Sequence, residues 1–180
     1  MVFSMGLFDR RDDTEIISDL LAEAEESPTS VDVGQAISLL EGSGQEIQRG
    51  AAAVVGLVAQ ECPEKVAPYS EQIVAQLSAS DVDVREYVSH ALRSIVRIRT
   101  DIGTRHIETI AARLSDESIE VRKNAIRAFS HISEDDPDAV SDYADSIADL
   151  LTEDDVTSRQ DAVGTLRRIA EVTPEKIRPY

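Results

Sequence analysis

The chain has little of what holds small secreted folds or sheet proteins together. Cys62 is its single cysteine in 180 residues, so an intramolecular disulfide framework and any CxxC metal or redox motif are excluded, and Cys62 reads as a small side chain at a helix junction. Tryptophan is absent and aromatic residues make up only 4% of the chain, which suits helices packed with Leu, Ile, Val and Ala better than a β-sandwich. Long apolar runs are missing too. The longest, AAAVVGLVA from Ala51 to Ala59, falls far short of the roughly 18 residues that cross a bilayer, and no basic region followed by an apolar stretch opens the chain. A soluble, cytoplasmic protein without a membrane span is expected. Lysine is scarce, with only Lys65, Lys123 and Lys176 among 18 basic residues, against 35 acidic ones and a net charge of −17.

What is present is a period. Pro63, Thr100, Pro137 and Pro174 form one column of a lattice with a spacing of 37 residues; Leu40, Leu77, Leu114 and Leu151 form a second; Tyr69, His106, Tyr143 and Tyr180 form a third. A strict repeat of this length denotes a stack of similar supersecondary units, each unable to bury its apolar face alone. Each unit carries two helical patterns. In the second helix the columns Ala51, Val88, Ala125, Ala162, then Val55, Leu92, Phe129, Leu166, then Val58, Ile95, Ile132, Ile169 fall at i, i+4 and i+7, one face of a 3.6-residue helix. The first helix is expected to start at Asp136-Pro137-Asp138 and Thr173-Pro174-Glu175, with a capping side chain, a proline at the first position and an acid in the first turn. The acid recurs as Glu64, Asp101, Asp138 and Glu175, and the column reads as helix-start chemistry, not catalysis.

Between the helices of a unit lies a turn. Gly42-Ser43-Gly44 looks like part of a phosphate-cradling loop, yet its equivalents are Ala79-Ser80-Asp81, Asp116-Glu117-Ser118 and Glu153-Asp154-Asp155, and no GxxxxGK[ST] follows. His90, His106 and His131 show no HExxH spacing, and no GxSxG or Cys/His pair occurs. No enzyme, cofactor or metal site is expected, although a metal site assembled across units is not excluded by one sequence. Acidic clusters such as Glu134-Asp135-Asp136 lack the glycine and bidentate glutamate of a calcium loop.

The segments LSDESIEVRKNAIRAF (Leu114 to Phe129), LSASDVDVREYVSHAL (Leu77 to Leu92) and LTEDDVTSRQDAVGTL (Leu151 to Leu166) each join an acidic turn to an apolar helix that carries an early arginine, as the second half of a HEAT repeat does. The chain resembles HEAT-repeat proteins over about residues 30 to 180, and Pro68 resembles the kink common in their first helices. The resemblance implies an all-α solenoid of about four helical hairpins, with repeats about 28–62, 63–99, 100–136 and 137–173 and the start of a further one at 174–180. It implies no particular activity. The first unit departs from the pattern, with Gln48 in the arginine column and Arg49 displaced by one. Ahead of the repeats, Ile17, Leu21 and Ala24 define an amphipathic helix over 14–27 that would cap the stack, since solenoids need polar-faced ends. Residues 1–13 read as a mobile tail in which either Met1 or Met5 is the native start. TPEKIRPY at the C-terminus repeats CPEKVAPY of Cys62 to Tyr69, so the chain is either part of a longer solenoid or ends in half a helix, and self-association through an open end is conceivable.

The charge pattern supplies the functional expectation. Carboxylate excess with little lysine resembles the composition of salt-in haloarchaeal proteins; a plain acidic mesophilic protein is the alternative. Either way the overall field disfavours nucleic acid and anionic membrane. The second helices nevertheless hold 11 of the 18 basic residues and only 7 of the 35 acidic ones. In HEAT-like stacks these helices line the concave face, and on a 100° wheel Arg49, Arg93, Arg97, Lys123, Arg127 and Arg167 point away from the core into it. Arg85, Arg122 and Arg159 fall at the core edge, where the resemblance implies a structural ladder to turn carboxylates. The favoured function is a protein-interaction scaffold whose concave face holds an acidic segment of a partner protein of unknown identity. The rival is a nucleic-acid-binding module gripping phosphates through the same arginines, which lacks interleaved aromatics; simple charge balance is a third reading.

Overall fold

The computed structural model describes residues 12–42 and 44–177, and every described element is helical. Of the expected tail over 1–13, residues 1–11 lie outside the described residues, as does Tyr180 of the third column, while Asp12 and Asp13 belong instead to the capped start of the chain's first helix. Helix α1 (Asp13–Glu26) precedes the repeats. The second helices are long and unbroken: α3 (Gln45–Glu61), α6 (Val82–Val96), α9 (Ile119–Asp135) and α11 (Val156–Val172). They begin where the sequence supplies an acceptor. Asp81 accepts from the amides of Asp83 and Val84, Ser118 from Val121 and Asp155 from Ser158, each satisfying orphan donors of a first turn. These caps are the last residues of the turn triplets, and Gly44, their counterpart, caps α3 without a side chain.

The first helices are interrupted, at Pro68 where a kink is expected and in the third and fourth units where none is. Only the first unit has one intact, α2 (Val33–Gly42). In the second unit α4 (Pro63–Val66) passes through a 3-10 turn at Ala67–Tyr69, at Pro68, into α5 (Ser70–Ala75) and a further 3-10 turn. The third has α7 (Thr100–Arg105) and α8 (Ile107–Ala111), and the fourth has only α10 (Ala144–Asp149) between 3-10 turns. Proline removes an amide donor and clashes with the preceding turn, which accounts for the break at Pro68. The start expected at Asp136-Pro137 is also corrected. Asp136 does accept from the amide of Ala139, but the chain turns there and the first helical residues are Ser141–Tyr143. At Thr173-Pro174 a helical turn does start where expected, a 3-10 turn over Pro174–Lys176 with Glu175 in it, although the Thr173 hydroxyl bonds back to the Ile169 carbonyl instead of capping it.

The core columns are all buried: the twelve positions read from the second helices are each no more than 7% exposed. Leu40, Leu77 and Leu114 are equally buried, while Leu151 is half-exposed on the last unit. Phe129 meets the Tyr143 ring edge-on at 5.4 Å, and Cys62 is buried at the junction of α3 and α4. Units are also tied by polar contacts one period apart: Lys65 Nζ donates to the carbonyls of Thr29 and Val31, Arg113 to that of Leu77, and Lys176 to Asp142. Helix α1 buries Ile17, Leu20 and Ala24, with Leu21 only half-buried, and it packs chiefly on α3. The approach is close enough that a Cβ on Gly50 would lie 2.8 Å from Ile17 Cγ1. Among the described residues no helix is long and apolar enough to cross a membrane.

Candidate functional site

Neighbouring second helices meet through columns that the 37-residue lattice defines. Gly56 of α3 receives Tyr87 of α6, Ser89 of α6 accepts from Asn124 of α9 at 3.0 Å, and Arg127 of α9 donates to Asp161 of α11 at 2.9 Å. At the turn ends of these helices the ladder arginines repeat one geometry. Arg85 donates through Nη1 to the carbonyls of Ala79 and Ser80, Arg122 to those of Asp116 and Glu117, and Arg159 to those of Glu153 and Asp154. Each of the first two also reaches the next unit's turn. Arg85 engages Asp116 at 3.2 Å and Glu117 at 2.7 Å, and Arg122 binds both oxygens of Glu153 at 2.7 and 3.0 Å. Arg159 has no carboxylate partner among the described residues, because its lattice partner would belong to a further turn.

Arg49 behaves differently from the other residues assigned to the outward face. Its guanidinium contacts Asp81 at 2.7 Å and Asp83 at 3.1 Å, so it links units one and two in place of the arginine that Gln48 lacks. Hydrogen bonds from Arg49 and then Gln45 hold the Asp81 carboxyl far below the usual carboxylate range, against the effect of burial. Arg167 is exposed on α11 and is not among the residues lining the groove described next.

The remaining four, Arg93, Arg97, Lys123 and Arg127, line two neighbouring pockets along α6, α9 and α11, together termed the groove. One part, of about 340 Å³, is lined by His90, Arg93, Glu120, Lys123, Asn124, Arg127 and Asp161 with two α11 hydroxyls. The adjoining part, of about 230 Å³, is lined by Gln60, Arg93, Ser94, Arg97, Arg127 and His131. Arg93 and Arg127 belong to both. Carboxylates are confined to the first part, where Glu120 holds Lys123 at 2.9 Å and Asp161 holds Arg127 Nε. Among the described residues Arg93 and Arg97 have no carboxylate within ion-pair distance, and Arg93 makes only a 3.5 Å contact with His90.

This crowding of cations is visible electrostatically. Burial first, then Arg127 and Arg97, lower the pKa of Arg93, with Asp161 and Glu120 opposing. Burial and then Arg93 push the His90 imidazole down, and burial also lowers His131, where Glu134 and Asp161 oppose Arg127 and Arg97. Both imidazoles are therefore neutral at physiological pH. Sequence reading missed the histidines, Gln60 and Asn124. The lattice held the signal: His90 shares a column with Arg127, and Gln60 shares one with Arg97. Among the described residues no group of three or more His, Cys, Asp or Glu is gathered to hold a metal ion.

A stack of helical hairpins with a period of 37 residues and arginine-tied turns defines a HEAT-like α-solenoid. Solved structures agree. A computationally designed armadillo repeat protein for modular peptide recognition superposes with a TM-score of 0.77 at 19% identity, over 92% of this chain and 80% of that one. An engineered protein matches at 0.72 and 24% identity, covering 91% and 76%. A designed armadillo repeat protein in complex with the peptide (KR)4 matches at 0.65 and 15% identity, covering 87% and 82%. These likenesses establish the fold alone. Residues 50–178 match the model of the non-SMC mitotic condensation complex subunit 1 family, and the chain belongs to that family of HEAT-like repeat proteins. No curated protein sequence matches it.

Proposed function

We propose that the protein is a non-enzymatic interaction module that holds an acidic, extended segment of a partner protein in the groove along α6, α9 and α11. The observation that carries this reading is the grouping of Arg93, Arg97, Lys123 and Arg127 in one groove of a chain whose net charge is −17. An unpaired, half-buried guanidinium costs free energy in the free protein, so it favours a ligand that brings anionic acceptors in forked geometry. The designed protein in complex with the peptide (KR)4 shares the architecture and holds a basic ligand; the four cations lining the groove here favour an acidic one.

The test uses fluorescence anisotropy with a labelled oligoglutamate peptide, an oligolysine peptide and a single-stranded oligonucleotide. Oligoglutamate is expected to bind, with an affinity that falls as salt screens the groove, and oligolysine is not. Replacing Arg93, Arg97, Lys123 and Arg127 together by Gln should abolish that binding while helicity is retained, since exposed changes usually cost within about 0.5 kcal/mol each and the partly exposed ion pairs of Lys123 and Arg127 contribute at most about 1 kcal/mol each. Oligoglutamate binding that survives in the quadruple variant would move the site elsewhere. Preferential capture of the oligonucleotide, with a steep salt slope, would favour the nucleic-acid reading instead.

A further inference from the structure

The two parts of the groove differ in one chemical respect. The part along α9 and α11 contains Glu120 and Asp161, which neutralise Lys123 and Arg127 in place. The part where α3, α6 and α9 converge has three arginines and His131 in its lining and no carboxylate there, with Glu134 approaching only His131 Nδ1 at 3.8 Å. Arg127 gives only its Nε to Asp161, and among the described residues its two Nη nitrogens donate to no protein acceptor. Arg97 donates to none either, and Arg93 has only the long contact to His90. Fork-shaped donors from two helices thus share one recess of about 230 Å³ with Gln60 and Ser94, whose side chains add further polar atoms.

A single carboxylate leaves such a recess with excess positive charge. A phosphoryl group carries about −1.5 to −2 charges at neutral pH and three strong acceptor oxygens, the acceptor set that several converging guanidinia satisfy together. We infer that Arg93, Arg97 and Arg127, with His131, form a binding site for a phosphoryl dianion, presented as a phosphomonoester on a serine or threonine of the segment held in the groove. The source of the phosphoryl group rests on the proposed function; the site itself does not. Burial first, then repulsion from Arg127 and Arg97, disfavours the charged Arg93 in the free protein, and the dianion offsets both.

The experiment titrates the full chain at about pH 7.5, where a phosphomonoester is mainly dianionic, at constant ionic strength. Three acidic peptides of one sequence are compared, carrying Ser, Glu or phosphoserine at a central position, together with inorganic phosphate alone. The phosphoserine peptide is expected to bind about tenfold more tightly than either other peptide, a difference of about 1.4 kcal/mol. Inorganic phosphate should perturb the Nε–Hε resonances of Arg93, Arg97 and Arg127 saturably and raise the His131 pKa, and chloride should do neither. In Arg97→Gln, an exposed position whose side chain donates to no protein acceptor among the described residues, the ratio of phosphoserine-peptide to Glu-peptide affinity should fall from about ten to about one, whatever loss all three peptides share. Equal affinity of the phosphoserine and Glu peptides, or arginine shifts that chloride reproduces, would overturn the site. Saturable binding of inorganic phosphate with no binding of any peptide would keep the site as one for free phosphate and would instead defeat the held-segment reading.

Discussion

Arg85 shows how one side chain closes a seam between units. It is 7% exposed, its partner Asp116 is 4% exposed, and the same guanidinium satisfies two turn carbonyls of its own unit. Burial opposes its charge, and the hydrogen bonds to Glu117 and Asp116 outweigh that, so its pKa is raised. Without Arg85, Asp116 keeps Arg113 at 3.2 Å and the Ser118 amide, but the Ala79 and Ser80 carbonyls lose their donor, so Arg85→Met should cost about 1 to 3 kcal/mol in denaturant unfolding; a loss near that of an exposed pair, well below about 1 kcal/mol, would show that solvent compensates. The groove histidines make a separate prediction for acid. His90 faces Arg93 and Glu120, and His131 faces Glu134, Arg127, Asp161 and Arg97. Both folded values lie below the ordinary value of about 6.5. The unfolded chain therefore binds more protons below that pH, and stability falls as pH drops from about 6.5 through the depressed folded values. Thermal melts between about pH 7.5 and 5.5 should show this slope, and the His90→Gln/His131→Gln double variant should flatten it. The carboxylates act later, since Asp81 is held far below the usual range and its contribution is lost only on deeper acidification.

At the level of elements, α1 stays on the stack because α3 offers it a flat seat. With the Cβ of an alanine at position 50 only 2.8 Å from Ile17 Cγ1, Gly50→Ala should displace α1 and destabilise by about 1 to 3 kcal/mol. Hydrogen exchange should rise in α1 first; unchanged protection there would mean that Ile17 repacks freely. Leu114, 2% exposed in the third unit, is a different case. Leu114→Ala leaves a cavity and should cost about 2 to 5 kcal/mol, with protection lost in α9 and α11 before α1, because repeat units couple mainly to neighbours. Uniform loss along the chain would indicate a single cooperative block. These elements were legible to different degrees. The second helices could be read from their apolar face and capping column. The first helices were legible only at the Pro68 kink, because the Asp136-Pro137 turn replaces the start of another and their apolar residues seat equally well on 3-10 turns.

For the whole molecule the issue is charge. A net charge of −17 with three lysines stabilises solubility at high salt and repels itself at low salt. If this composition is a salt adaptation, molar potassium chloride should raise the melting temperature well beyond the change seen up to about 0.15 M, where screening already acts over about 8 Å. A melting temperature flat above that concentration would identify an ordinary acidic protein. The same titration weakens the groove's hold on acidic ligands, so stability and ligand affinity are expected to run in opposite directions with salt.

The sequence alone determined the stack: a 37-residue lattice of buried columns admits one architecture, because apolar positions repeating in register must face one another. It also determined that Arg85, Arg122 and Arg159 stand apart from the other cations, since their helical phase places them at the turn. The grouping within the outward set was decided by tertiary structure. Arg49, Arg93, Arg127 and Arg167 look alike on a helical wheel, yet Asp81 and Asp83 of the next unit engage Arg49, Asp161 engages one nitrogen of Arg127, and Arg167 stands outside the groove. Phase within a helix fixes direction, whereas whether a charge meets a carboxylate depends on the neighbouring helix, and that distance is set only when the units stack.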